Sequence, residues 1–151
     1  MKKNTNNKGF TLVELIVVLV ILAILAAILV PALLGYIDRA REKQYVLNAK
    51  SALTAAQTEL SSLYGENKSA SEITSRASTV KNTADVPGTY FGINVKGGDV
   101  ASGAISSNHA AYTVGTAYYT EAGITMYFDG SAWTKADSVG SVTYTIWSAS
   151  N

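Results

Sequence analysis

The residue types that most often carry nucleophilic or metal chemistry are nearly absent: His109 is the one imidazole, and there is no cysteine. No acid or thiol lies near His109 in sequence, so a solvated or strand-end histidine is the simpler reading. Asp85, Asp99, Asp129 and Asp137 stand singly without the Asp-x-Asp-x-Asp-Gly spacing of an EF-hand, which leaves only an irregular calcium loop open. Gly97-Gly98 reads as a turn, because no Gly-Lys-Ser/Thr pattern follows to make it a phosphate cradle. Neither a Gly-x-Ser-x-Gly elbow nor a dinucleotide fingerprint occurs. Asn67-Lys68-Ser69 matches the glycosylation triplet, a pattern short enough to arise by chance. Tyr118, Tyr119 and Trp133, read as exposed aromatics, have ring faces that could stack on sugars or DNA, but sheet packing uses the same residues. No catalytic, cofactor or metal residue is expected, and the chain reads as a non-enzyme.

One carboxylate is out of place. Glu14 is the single charge in residues 10–34, and residues 15–34 form an unbroken apolar run, LIVVLVILAILAAILVPALL. At about 1.5 Å per helical residue that run is roughly 30 Å long, the thickness of a bilayer's hydrocarbon core. A carboxylate in such a helix costs about 2.5–3.5 kcal/mol near the bilayer centre and less at the edge, where Glu14 would simply reach the interface. Pro31 lies inside the run. It removes one backbone hydrogen bond and predicts a kink or weak point over residues 27–31.

The elements that must position these residues follow from composition. The chain has 151 residues, 48% of them hydrophobic and 15% charged, which is too apolar for disorder. A net charge of +1 gives no basic field for nucleic acid. Lys2, Lys3 and Lys8 precede the apolar run without an acid, whereas Asp38, Arg39, Arg41, Glu42 and Lys43 follow it as a mixed set. The positive-inside rule puts the N-terminus in the cytoplasm. Secretory cleavage would need an A-x-A-like triplet at the end of the run, and none occurs there. The small residue suited to processing, Gly9, stands in front of the run.

Lys8-Gly9-Phe10-Thr11-Leu12-Val13-Glu14, leading directly into the apolar segment with Pro31 downstream, closely resembles the N-terminus of type IV pilins and their pseudopilin relatives. The resemblance implies that a prepilin peptidase cuts after Gly9 and that Phe10 becomes the methylated first residue. It makes Glu14 the fifth mature residue, where the family usually has its glutamate, and Pro31 the helix-interrupting proline. It also implies an assembly role in which Glu14 of one subunit meets the Phe10 amine of its neighbour. Two unit charges about 4 Å apart gain on the order of 4 kcal/mol at an effective dielectric of 20, before desolvation. The absence of cysteine departs from the many members that close their C-terminal region with a disulfide.

Beyond Gly35, Val46, Ala49, Leu53, Ala56, Leu60 and Leu63 recur at steps of three and four, one buried stripe of an amphipathic helix that ends near Tyr64-Gly65. Most glycines and aromatics then follow, a shift toward strand and turn. Residues 69–72 fit a capping box and begin a short helical turn in a stretch, 69–86, that is otherwise polar and irregular. Strands are expected at 89–95, 109–114, 123–128, 132–135 and 142–147, with Asp129-Gly130 as a two-residue hairpin turn. The expected fold is α+β, a long N-terminal helix packed against an antiparallel sheet.

The expected organisation is a leader at 1–9, an apolar membrane and filament-core helix at 10–35, an amphipathic helix at 36–64 and a sheet domain at 65–151. The expected function is a structural pilus subunit that polymerises with copies of itself into a surface filament. Its precursor would sit in the cytoplasmic membrane, and its partners would be the prepilin peptidase and the assembly machinery, without specific nucleic-acid binding or a cofactor. Two alternatives stand beside it: a pseudopilin of a secretion or competence system, and a single-pass membrane-anchored binding module.

Overall fold

The computed structural model describes residues 9–98 and 104–149, so Lys8 and Asp99 lie outside the described residues. The chain divides into two compact units, Met1–Arg41 and Glu42–Asn151. Helix α1, Leu12–Gly65, contributes its first part to one and the remainder to the other.

In the first unit α1 is apolar on every side, and its large side chains from Leu12 to Leu34 are 48–75% exposed. It is the one helix among the described residues long and apolar enough to cross a membrane. The helix is continuous through Pro31. What proline removes there is a single N–H, leaving the Ala27 carbonyl short of its partner.

In the second unit the stripe of α1 is Ala49, Ala52, Ala55, Ala56, Leu60 and Leu63. Val46 and Leu53 from the expected stripe are only half-buried, and Ala52 and Ala55 widen it. Four alanines in eight residues carry nothing beyond Cβ, which lets neighbouring backbone approach the helix closely. The helix ends at Gly65, on the expected stop signal, in a Schellman arrangement. Lys68 N–H reaches the Leu63 carbonyl, Asn67 N–H reaches that of Tyr64, and Asn67 takes the left-handed conformation at φ 57°.

Residues 69–86, expected to be irregular after one turn, are mostly helical. Ser69 does cap a helix: its Oγ accepts from Ser71 N–H at the start of a 3₁₀ helix, Ala70–Arg76. That segment leads into α2, Ala77–Ala84. Only Ala70, Ile73, Val80 and Ala84 turn inward. So thin an apolar signal, spread over two kinds of helix, has no single period to read. Arg76 ties the segment to α1 by an ion pair to Glu59 at 3.1 Å, and pairs at 2.7 Å with Glu66, the residue just past the helix end. Hydrogen bonds from Arg76 and then Lys68 hold the Glu66 carboxyl down to about 2.

Five strands form one antiparallel sheet in the order β4-β3-β2-β1-β5. They are β1 Tyr90–Val95, β2 Val114–Glu121, β3 Ile124–Phe128, β4 Trp133–Ala136 and β5 Tyr144–Trp147. The strand expected at 109–114 is a correction: His109–Tyr112 is a 3₁₀ helix, capped by Asn108 Oδ1 accepting from Ala110 N–H, and the strand begins only at Val114. Its continuation through Tyr118 and Tyr119 was not expected, because Gly115 and Ala117 weaken the strand signal. The two-residue turn also lies elsewhere. It is Ala122-Gly123, at φ 50° and 77°, joining β2 to β3. Positive φ at both central residues is what a type I′ turn requires. Asp129-Gly130 belongs instead to a four-residue loop, in which Asp129 Oδ1 accepts from Ser131 and Ala132 N–H, both at 2.8 Å.

The core lies where the α1 stripe, the 3₁₀ segment, α2 and the sheet meet, around Leu60, Ile73, Phe91, Ile93 and Tyr119. Polar ties cross it. Gln57 donates to the Tyr112 carbonyl at 2.8 Å and accepts from Val114 N–H at 2.9 Å, which pins the start of β2 to α1. Glu121 accepts from both Asn48 and the Tyr119 hydroxyl. Burial, with Glu121 as acceptor, pushes the Tyr119 phenol up.

The C-terminal strand is held without a disulfide. Asn94 on β1 donates to Thr116 Oγ1 at 2.8 Å and to the Ser141 carbonyl at 3.1 Å, while its Oδ1 accepts from the N–H and hydroxyl of Thr143. Trp147 stacks on Phe91 with ring centroids 4.9 Å apart and donates to the Gly88 carbonyl. Asn94→Ala removes all four side-chain bonds, each worth roughly 0.5–1.5 kcal/mol net, so a loss of about 3 kcal/mol is expected. Amide exchange over residues 144–147 should accelerate more than elsewhere. An unchanged melting temperature would show that Asn94 does not hold this strand.

Candidate processing and assembly site

Gly9, Phe10 and Thr11 are outside the helix and exposed, with Phe10 at 78%. A Cβ built on Gly9 meets nothing within 4 Å, so the bond between Gly9 and Phe10 is open to another molecule. Non-helical, uncovered backbone of this kind is what a protease cleft can accept; a helical peptide bond would first have to unwind.

The helix begins at Leu12 because Thr11 and Glu14 form a reciprocal cap. Thr11 Oγ1 accepts from Glu14 N–H at 3.3 Å, and Glu14 Oε2 accepts from Thr11 N–H at 2.9 Å and from the Thr11 hydroxyl at 2.7 Å. This is the Thr-x-x-Glu capping box, which satisfies two orphan donors of the first turn at once. A carboxylate in the first turn is also favoured by the positive end of the helix dipole. Thr11 was not among the residues singled out from sequence. The signal was there: the same spacing marked Ser69.

Four of the features sit together at one helix end: Gly9, Phe10, Thr11 and Glu14. Pro31 lies further along the same helix and touches none of them in the recorded bonds. Large apolar side chains surround Glu14 in sequence, among them Leu12, Val13, Leu15 and Ile16, all at least half exposed. The arrangement presents one carboxylate and one exposed, non-helical segment at the start of an apolar helix whose side chains are exposed. Among the described residues, the side-chain hydrogen bonds of Glu14 are with Thr11.

The remaining candidates take structural places. His109 Nε2 is 2.6 Å from the Tyr64 hydroxyl and its ring meets the Tyr64 ring edge-on at 4.8 Å. Among the described residues no group of His, Asp or Glu is placed to hold a metal ion. Tyr119, read from sequence as an exposed stacking ring, is fully buried, because β2 turns it toward the core. Tyr118 packs on Tyr127 and Trp133 on Phe128, at 4.8 and 5.3 Å between centroids. Gly97-Gly98 is a turn, with Gly97 N–H on the Ala110 carbonyl.

Comparison with known proteins adds two findings. The profile of the prokaryotic N-terminal methylation motif matches residues 4–30. A fimbrial protein of Neisseria meningitidis serogroup A is 37% identical over 106 residues, and one of serogroup B is 38% identical over 109 residues. Each match covers 70% of this chain and 59% of the relative, so the chain spans less than two thirds of the length of these curated relatives. No solved structure matches.

Proposed function

We infer the function of this chain from the type IV pilin family, to which it belongs: it is a structural subunit that polymerises through the first part of α1 into a surface filament. The observation that carries this reading is the helix from Leu12 to Leu34, apolar on every side and covered by nothing, with an exposed Gly9-Phe10 before it and a carboxylate in its first turn. Lipid would cover that surface before assembly and identical helices afterwards. The lysines ahead of it support a cytoplasmic N-terminus in the precursor.

Leader removal by the prepilin peptidase after Gly9, with methylation of Phe10, leaves the apolar helix on the mature subunit. The mature helix would form the filament core, and interaction with the assembly machinery rests on the same reading. Glu14 would meet the Phe10 amine of a neighbouring subunit, which fixes register. The apolar side chains supply most of the association energy. Pro31 would act as the point where α1 yields most easily during packing, since one carbonyl there has no helical partner.

Mass spectrometry of the protein from a host that has the peptidase tests the processing step. The expected result is a chain beginning at an N-methylated Phe10, lighter by residues 1–9 and by the three lysines among them. An intact leader in that host would overturn the reading.

A further inference from the structure

Both hydrogen bonds from Thr11 to Glu14 converge on one oxygen, Oε2. The other oxygen, Oε1, has no recorded partner among the described residues. An ionised carboxylate has about four acceptor positions over its two oxygens, so a capped Glu14 keeps the whole of Oε1 to offer. We propose that Thr11 is a positioning residue for assembly: it fastens Oε2 to the subunit's own helix end and thereby aims Oε1 at the incoming amine of a neighbouring copy. This rests on the reading in which Glu14 pairs with that amine.

The physical need is specific to an apolar array. A free glutamate has three rotatable side-chain bonds, and in water its rotamers interconvert at little cost. Between packed Leu, Ile and Val side chains there is no water to satisfy either the carboxylate or the orphan N–H groups of the first helical turn. The capping box answers both demands with one oxygen and leaves the other for the ion pair. An amine approaching a carboxylate already fixed in place loses less side-chain entropy on pairing. Thr11 therefore acts through Glu14 and needs no contact with the neighbour.

The experiment compares Thr11→Val, which keeps the shape of threonine without its hydroxyl, with Thr11→Ser, which keeps the hydroxyl, in the full-length chain. Filaments are counted per leaderless subunit, with leader removal measured by mass, and Glu14→Gln is run alongside. The expected result is at least a tenfold loss of filaments for Thr11→Val and a yield within twofold of wild type for Thr11→Ser. Glu14→Asp retains the charge but is one methylene too short to span the box, and it should lose assembly as Thr11→Val does. If Thr11→Val slows leader removal, Glu14→Asp decides. Filaments at wild-type abundance from Thr11→Val, or from Glu14→Asp where that variant decides, would overturn the proposal, as would a serine variant as deficient as valine. Loss of filaments in Glu14→Gln with normal Thr11→Val would remove this proposal alone. Normal assembly of Glu14→Gln would remove the parent reading.

Discussion

Glu14→Leu is expected to give normal protein level, normal cleavage after Gly9 and few or no filaments. The change leaves the proposed cleavage site untouched, so processing should continue. On the proposed pairing, assembly should then fail, because the Phe10 amine of each subunit would be buried among apolar side chains with no carboxylate to meet it. Breaking a buried pair by removing one partner costs about 3–5 kcal/mol, since the surviving charge keeps its full desolvation penalty. Repeated at every subunit contact, a loss of that size shifts the polymerisation equilibrium at each addition by more than a hundredfold. Glu14→Gln should fail in the same way, because an amide is as long as the carboxylate but carries no charge. The control is Lys50→Gln on the exposed side of the second unit's helix. A surface charge contributes at most about 1 kcal/mol, so that variant should assemble almost normally. If Glu14 did no more than reach the membrane edge, leucine would leave filaments intact. Wild-type filaments from Glu14→Leu would therefore move weight to a membrane-anchored module, in which the carboxylate has no partner to lose.

What the sequence makes legible is what repeats or sits at a fixed short spacing. The apolar run of residues 15–34 is visible because nothing interrupts it. The stripe Ala49, Ala56, Leu60 and Leu63 is visible because steps of three and four persist over four turns. Ile124, Met126 and Phe128 alternate with polar neighbours, and β3 is where that alternation puts it. Three features escape for identifiable reasons. Strand β2 opens with Val-Gly-Thr-Ala, whose small residues have little strand preference, and its pairing with β1 on one side and β3 on the other makes it a strand. Helix α2 buries only Val80 and Ala84, so the tertiary contact decides its state more than any local pattern. The Asn94 clasp joins residues 49 positions apart, a pairing that no window along the chain contains. At the candidate site the situation is different: Gly9, Phe10 and Glu14 are singled out by the resemblance that Lys8 to Glu14 carries, whereas the capping-box spacing of Thr11 to Glu14 is legible without it.

A chain truncated to begin at Tyr36 is expected to be soluble, folded and mainly monomeric, with the helix and sheet content of the second unit. The residues that are removed gain most by association. From Leu12 to Leu34 the large side chains stand 48–75% exposed, and burying the remainder of a Val, Leu or Ile is worth about 1 kcal/mol apiece. The residues that are retained hold the entire recorded core, from Ala49 to Trp147. None of the cross-element ties described above, by Asn48, Gln57, Arg76, Asn94 or Trp147, reaches back before Tyr36. Cutting there also places Asp38 in the first turn of the shortened helix, where a negative charge suits the helix dipole. Some fraying of the first turns should follow, because residues 36–44 bury nothing. Circular dichroism should report mixed helix and sheet, sedimentation should give a single monomeric species, and the full mature chain should need detergent or assemble. Filaments from the truncated chain would show that residues 10–34 do not drive assembly. An unfolded product would show instead that the first part of α1 stabilises the second unit, and the two would then have to be treated as one folding unit.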